Sequence, residues 1–137
     1  NTSATVVRFS GIYGPGRDRL IRVVRNGGPL SAKTRAGITN RIHRDDCARA
    51  LAHLVTLASP APRYNGSDCA PTPLGEIVDW IAAQLRVPAP PEGEDSIAMP
   101  QRGGNRRVSS ALLQASGFEF RYPTYREGFG SLLANES

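Results

Sequence analysis

The pattern of apolar and polar positions predicts short strands that alternate with helices. Residues 4–10 are rich in β-branched and apolar side chains, and the glycines and proline of residues 11–16 then break this first strand into a loop. Residues 39–43 and 64–66 have the character of further short extended segments. Such alternation is typical of an α/β layer with partly parallel strands. Three or four short strands are too few for a complete sheet of this kind.

Helical spacing predicts two helices in the first half of the chain. The first is short and ends at residues 26–29; its apolar positions are Leu20, Ile21, Val23 and Val24. The second is the clearest amphipathic helix, N-capped by Asp45 or Asp46 and ending before Pro60. Its predicted apolar face consists of Cys47, Leu51, Leu54, Val55 and Ala58.

The second half has three helix signals. Thr72 as N-cap and Pro73 at the first helical position predict a helix, whose buried face is Ile77, Val78, Ile81, Ala82 and Leu85. The four prolines of residues 87–100 predict a loop. Ser109 or Ser110 then begins a short helix that ends at Gly117. Pro123 opens a last helix with apolar positions Phe129, Leu132 and Leu133.

Charge and cysteine content narrow the function classes. The net charge is +5, and residues 1–49 carry ten Lys/Arg against three Asp/Glu, a local balance of +7 that attracts anions. The arginines are scattered among apolar residues without interleaved aromatics, so a phosphorylated or dinucleotide ligand, or plain solubility, accounts for them more simply than nucleic-acid binding. No apolar run approaches the ~20 residues of a membrane span. The two cysteines match no metal spacing, which favours a reducing, cytoplasmic setting.

Four segments, in order, carry a family resemblance. They are Val7-Arg8 through Ile12-Tyr13-Gly14-Pro15-Gly16; Arg41-Ile42-His43-Arg44-Asp45-Asp46-Cys47-Ala48; Tyr64-Asn65-Gly66 with Pro71 to Ile77; and Arg106-Arg107-Val108-Ser109 with Gly117-Phe118 and Tyr122-Pro123. The chain resembles the C-terminal portion of extended short-chain dehydrogenases, in particular the NAD-dependent epimerase/dehydratase and nucleoside-diphosphate-sugar epimerase-like proteins. The resemblance implies a Rossmann-type α/β fold whose N-terminal dinucleotide-binding half is missing. It also implies NAD or NADP, bound mainly by that half.

The family's catalytic pair and cofactor fingerprint do not occur in this chain. Its hydride chemistry needs a tyrosine followed four residues later by a lysine, next to a nicotinamide held by a glycine-rich βα turn. Lys33 is the only lysine, and Pro29 stands where the tyrosine would be. Arg17 and Arg19 occupy positions at which the glycine pattern needs a third glycine. We therefore assign no catalytic residue and no metal ligand.

The resemblance places several residues beside cofactor or substrate. Phe9, Ser10 and Ile12 would contact the cofactor, while Gly11 and Tyr13 would face the substrate. The alternative is that Phe9 and Ile12 are core residues and Tyr13 is an aromatic residue of the turn. Family members often have asparagine at the position of Gly11, so one hydrogen bond to a substrate hydroxyl would be missing.

The family's diphosphate clamp is half preserved. A planar arginine fork matches phosphate oxygens, and Arg102 corresponds to one such arginine, although a solvated loop arginine is the alternative. Thr39 stands where the other arginine is expected. Arg19 and Leu20 would border the same pocket. His43 is expected to be a packed structural residue, because no partner lies at ligand or triad spacing.

The sequence therefore predicts a single partial domain, with the end of the dinucleotide-binding sheet at about residues 1–16 and a substrate-binding region at 17–137. The expected ligand is a small molecule, such as a nucleoside-diphosphate sugar. The apolar first strand also predicts self-association, or retention of a cleaved N-terminal half. Two alternatives stay open, a non-catalytic regulatory or partner-binding member of the same superfamily and a basic nucleic-acid-binding module.

Overall fold

A computed structural model describes residues 4–96 and 106–135. Its strands and helices alternate along the chain, as the sequence predicts. The strands are β1 (Val6–Phe9), β2 (Gly11–Tyr13), β3 (Ile38–Thr39), β4 (Arg41–His43), β5 (Arg63–Gly66) and β6 (Thr72–Pro73). The helices are α1 (Arg19–Arg25), α2 (Ala32–Ala36), α3 (Arg44–Leu54), α4 (Leu74–Leu85), α5 (Ala111–Ala115) and α6 (Tyr125–Ala134). Over the described ranges the strands number six rather than three or four, and β2 lies where a loop was expected.

The strands form three pairs, two of them parallel. Strand β1 pairs with β5 so that Val6 lies opposite Arg63, and β2 pairs with β4 so that Ile12 lies opposite Ile42. The short pair of β3 and β6 is antiparallel. Parallel neighbours need long connections, and here the helices provide them. The structure is therefore a mixed α/β arrangement in which the chain itself supplies one partner for β1.

Two apolar clusters form the core. The larger joins α1, α4 and α6 to Tyr13, and its fully buried members include Ile77, Ile81 and Phe129. The smaller joins α3, α5 and β5 through Leu54, Tyr64, Leu113 and Phe118, among others. The predicted buried face of α4 is confirmed, because Ile77, Val78, Ile81 and Ala82 are buried and Leu85 packs against them.

The predicted apolar face of α3 is partly wrong. Cys47 and Leu54 are buried as expected, but Leu51, Val55 and Ala58 are exposed, and α3 ends at Leu54. The helix also buries Asp46 and Ala50. The buried face of α3 follows positions 46, 47, 50 and 54. Because Asp46 on this face is charged, the spacing of apolar residues does not identify the face.

Three predicted helix starts shift slightly. The N-cap of α3 is His43, whose Nδ1 accepts a hydrogen bond from the N–H of Asp45 at 3.0 Å, so neither aspartate caps the helix. Helix α4 begins one residue after Pro73. Helix α6 has a capping box between Thr124 and Glu127 and begins at Tyr125, two residues after Pro123. Side-chain hydrogen bonds of His43 and Thr124 set the first turns of α3 and α6, and α4 starts later because Thr72 and Pro73 form β6.

Candidate functional site

The carboxyl ends of β1 and β5 lie side by side. The strands are parallel, so Phe9 and Gly66 end at the same edge, and the N–H of Ser10 donates to the carbonyl of Gly66 at 2.9 Å. Gly66 permits this approach because a methyl group there would overlap the Phe9 ring. Ligands of α/β sheets bind at the carboxyl ends of strands, which makes this edge the candidate site.

The predicted cofactor contacts form one continuous segment at this edge. Phe9, Ser10 and Ile12 are half-buried and Gly11 is exposed. The N–H of Gly11 donates to the carbonyl of Asn40 at 3.3 Å, which fixes the crossing from β1 to β2. The segment thus presents partly accessible side chains and main chain on a rigid strand end, and its contacts with a cofactor stay predictions.

Tyr13, the predicted substrate-facing residue, is buried at the end of β2. Its ring stacks on Phe129 with centroids 4.5 Å apart and meets the edge of His43 at 5.3 Å. Its hydroxyl group faces Gly128, where a methyl group would overlap it. Burial raises the pKa of the Tyr13 phenol, and the Asp68 carboxylate adds to the increase, so the phenol stays neutral. A contact of Tyr13 with a substrate stays a prediction.

The residues predicted around the diphosphate differ in exposure where the structure describes them. Arg19 begins α1 on the exposed side of the helix, whereas Leu20 is buried in the larger apolar cluster. Arg102 lies outside the described residues. At the position of the missing family arginine, the Thr39 hydroxyl accepts a hydrogen bond from Arg41 Nη2 at 2.6 Å and donates one to the carbonyl of Thr72 at 2.8 Å.

His43 has the expected packed environment. It is 1% exposed, and Tyr122 stacks on it with centroids 3.9 Å apart. Because Nδ1 accepts the N–H of Asp45, the ring proton lies on Nε2. Burial lowers the pKa of His43, which keeps the imidazole neutral.

Asp46 joins α3 to the segment before α6. Its two carboxylate oxygens accept the N–H groups of Arg121 and Tyr122, both at 2.9 Å, and Oδ1 also accepts from Arg49 at 2.8 Å. The prediction that this residue caps α3 is therefore wrong, because its hydrogen bonds go to main chain 75 residues away.

The buried polar residues next to the candidate edge were not predicted from the sequence. Ser67 and Asp68 follow β5 directly, and the N–H of Asp68 donates to the carbonyl of Arg41 at 2.7 Å. Burial raises the pKa of the Asp68 carboxyl to about 6, although the N–H of Ala70 and the Arg41 guanidinium oppose the change. The available signal was their position at the carboxyl end of a predicted strand.

A separate groove of about 420 Å³ lies between α2 and α4, and its lining includes none of the predicted site residues. Arg35 and Asp79 form an ion pair of 2.6 Å along it.

Among the described side chains, no group of three or more His, Cys, Asp or Glu could hold a metal ion. The same part of the chain has no helix with the length and apolarity for a membrane span.

Solved structures with the same fold include NAD(P)-dependent proteins. A protein of Methylobacillus flagellatus, assigned to the NAD-dependent epimerases/dehydratases, is 39% identical over 96% of this chain, with a TM-score of 0.78. The chain belongs to the NAD-dependent epimerase/dehydratase family. It covers 47% of that relative, so it spans about half the relative's length, consistent with a C-terminal portion. No protein-family model and no curated protein matches the chain.

Two more distant members of this fold carry ligands. The human epimerase family protein SDR39U1, solved with NADPH, has a TM-score of 0.80 and 19% identity over 98% of this chain and 49% of its own. MoeE5, solved with UDP-glucuronic acid and NAD, has a TM-score of 0.73 and 20% identity over 98% of this chain and 48% of its own. The expected fold, a partial Rossmann-type α/β domain, is confirmed, and so is the use of NAD(P) by the family.

Proposed function

We propose that the chain is the substrate-binding portion of an NAD(P)-dependent epimerase/dehydratase-like or reductase protein, and that it does not catalyse the reaction alone. The parallel edge at which β1 and β5 end together carries this proposal. It supplies a rigid surface beside which a nicotinamide could lie, while the phosphate-binding glycine turn and the tyrosine–lysine pair do not occur in the sequence.

The residues at this edge fit one wall of a cofactor site. Phe9 and Ile12 offer partly exposed apolar surface to a nicotinamide ring, and Ser10 offers a hydroxyl group. A bound nicotinamide would supply hydride transfer. These residues would orient the ring and exclude water from one of its faces, which raises the fraction of bound cofactor in a reactive geometry.

A nucleoside-diphosphate sugar is the substrate class that we propose. Support comes from the +7 balance of residues 1–49, from the exposed position of Arg19 at the start of α1 and from MoeE5, which binds UDP-glucuronic acid. Arginine forks bind phosphate oxygens in pairs, and we assign this role to Arg19 and Arg102. Residues 17–137 would form the substrate region, and residues 1–16 the end of the cofactor sheet.

An NMR titration of the chain tests this proposal. With NADH or UDP-glucuronic acid at millimolar concentration, we expect weak binding, with shifted amide signals at residues 9–13 and at Arg19. Arg19→Ala should weaken the UDP-glucuronic acid response, whereas Arg63→Ala, at the opposite end of β5, should leave it unchanged. Shifts confined to other surfaces would refute the proposed site. A dissociation constant near micromolar for NADH would refute the claim that this chain lacks the contacts that bind the cofactor's pyrophosphate.

A non-catalytic member of the same family is the second candidate, favoured by the missing tyrosine–lysine pair in these 137 residues. The sequence of the complete protein distinguishes the two. A tyrosine–lysine pair and a glycine-rich turn elsewhere would support the enzyme, and substituted residues at those positions would support the binding protein.

A further inference from the structure

Four polar side chains are buried at or near the ends of β2, β4 and β5. Tyr13, Arg41, Ser67 and Asp68 are each at most 8% exposed. Within the part of the chain that the structure describes, one atom of each has no hydrogen-bond partner: Tyr13 Oη, Arg41 Nε, Ser67 Oγ and Asp68 Oδ2. A buried polar atom without a partner destabilises the folded state, so almost all such atoms in native proteins are satisfied. Those of Tyr13, Arg41 and Asp68 require a common explanation.

Tyr13, Arg41 and Asp68 belong to one cluster, and Ser67 is the chain neighbour of Asp68. The main chains of Arg41 and Asp68 are hydrogen-bonded at 2.7 Å, and Ser67 precedes Asp68. The Phe129 ring stacks on Tyr13 and also faces the Arg41 guanidinium, 5.7 Å from the ring centroid. Asp68 is the charge that most raises the pKa of Tyr13, and Arg41 opposes it. The cluster therefore lies between the ends of β2, β4 and β5 and the α6 helix.

Arg41 and Asp68 each have one side-chain hydrogen bond and one side-chain atom without a partner. Arg41 Nη2 donates to Thr39, and Asp68 Oδ1 accepts from the N–H of Ala70 at 3.0 Å. The two opposite charges do not form a direct ion pair, because none of the salt bridges within 4.0 Å among the described residues joins them. The free guanidinium N–H needs an acceptor, and the free carboxylate oxygen needs a donor.

We propose that Tyr13, Arg41 and Asp68 enclose a binding site for ordered water, which connects the Arg41 guanidinium to the Asp68 carboxylate. Water both donates and accepts, and a buried water molecule typically makes about three hydrogen bonds to polar groups that lack other partners. The bridge would tie the end of β5 to β4 at the edge described above, and it holds whether or not the chain binds a nucleotide.

A crystal structure of the chain at a resolution that shows ordered water is the direct test. We expect water within hydrogen-bond distance of both Arg41 Nε and Asp68 Oδ2. A direct contact between the two side chains, or a cluster without water, would overturn the proposal.

A double-mutant cycle gives an independent test. The variants Arg41→Met and Asp68→Leu, singly and together, are unfolded with urea at pH 7.5. We expect the unfolding equilibrium constant to show a coupling of about tenfold or more. The exposed pair of Asp18 and Arg22, 3.3 Å apart, provides the control, with an expected coupling below about fivefold. Coupling no larger than the control would contradict the bridge. If a single variant does not fold, the crystal structure of the unsubstituted chain decides.

Discussion

The two parallel strand pairs of this chain have the same hydrogen-bonding pattern and very different surroundings. All three residues of β4 are buried, and its partner β2 ends at the buried Tyr13. In β1, by contrast, Val6 is 48% exposed and Arg8 is exposed, and only Val7 and Phe9 are half-buried. Parallel strands normally have both faces covered. The chain thus packs β4 into its core, whereas β1 keeps apolar surface exposed at Val6.

The free energy of unfolding should fall most when a side chain packed against the β2–β4 pair is removed. Phe129 is 1% exposed and stacks on Tyr13, so Phe129→Ala should lower the free energy of unfolding by about 3–5 kcal/mol. Val6→Ala on β1 is the matched control and should cost less than about 1 kcal/mol, because Val6 is already half exposed. Urea unfolding measures both. Similar losses at the two positions would mean that β1 is as well packed as β4.

Asp68 follows β5 and its N–H is bonded to Arg41 of β4, and it should make the stability of the chain depend on pH. Its pKa is raised from 3.8 to about 6 in the folded chain, so the folded state holds the proton more tightly than the unfolded state. The resulting stabilisation is fully present below pH 4 and is lost as the pH rises to about 6. The loss is roughly 2–3 kcal/mol. Comparison with Asp68→Asn isolates this contribution, because His43 titrates in both proteins. An unchanged difference between the two proteins from pH 4 to 7 would contradict the pKa of about 6.

Asp46 connects α3 to the segment before α6, and the neighbouring Asp45 provides a control. Asp46→Asn leaves one oxygen to accept the N–H groups of Arg121 and Tyr122 and removes the charge that Arg49 contacts. We expect a loss of about 1–3 kcal/mol in the free energy of unfolding, the scale of an unsatisfied buried donor. Asp45→Asn, at a partly exposed side chain, should change it by less than about 0.5 kcal/mol. Equal effects would show that Asp46 acts only through the helix dipole.

Sequence patterns predicted what depends on local periodicity and missed what depends on distant contacts. The buried face of α4 followed from apolar spacing, and β1 and β5 followed from their β-branched and aromatic residues. Asp46 could not be predicted, because its hydrogen-bond partners are 75 and 76 residues away in the chain. For the same reason the cluster of Tyr13, Arg41 and Asp68 exists only after β2, β4 and the end of β5 come together. The family resemblance supplied the candidate edge, which periodicity alone does not identify.

The smallest expected change in stability is at β1. A substitution there also tests whether this strand has an edge that lacks a partner. Val6→Lys should leave the free energy of unfolding within about 0.5 kcal/mol, because the side chain is half exposed. It should still reduce self-association, since a charged residue on an edge strand opposes pairing with another copy. We expect light scattering at tens of micromolar to show oligomers of the unsubstituted chain and fewer oligomers of the variant, that concentration lying in the range where exposed edges associate. Amide exchange should be faster in residues 6–9 than in residues 41–43 once the chain is diluted to monomers. A strictly monomeric chain whose β1 amides are as protected as those of β4 would mean that this strand needs no further partner, and the contrast between the two pairs would then concern side-chain exposure alone.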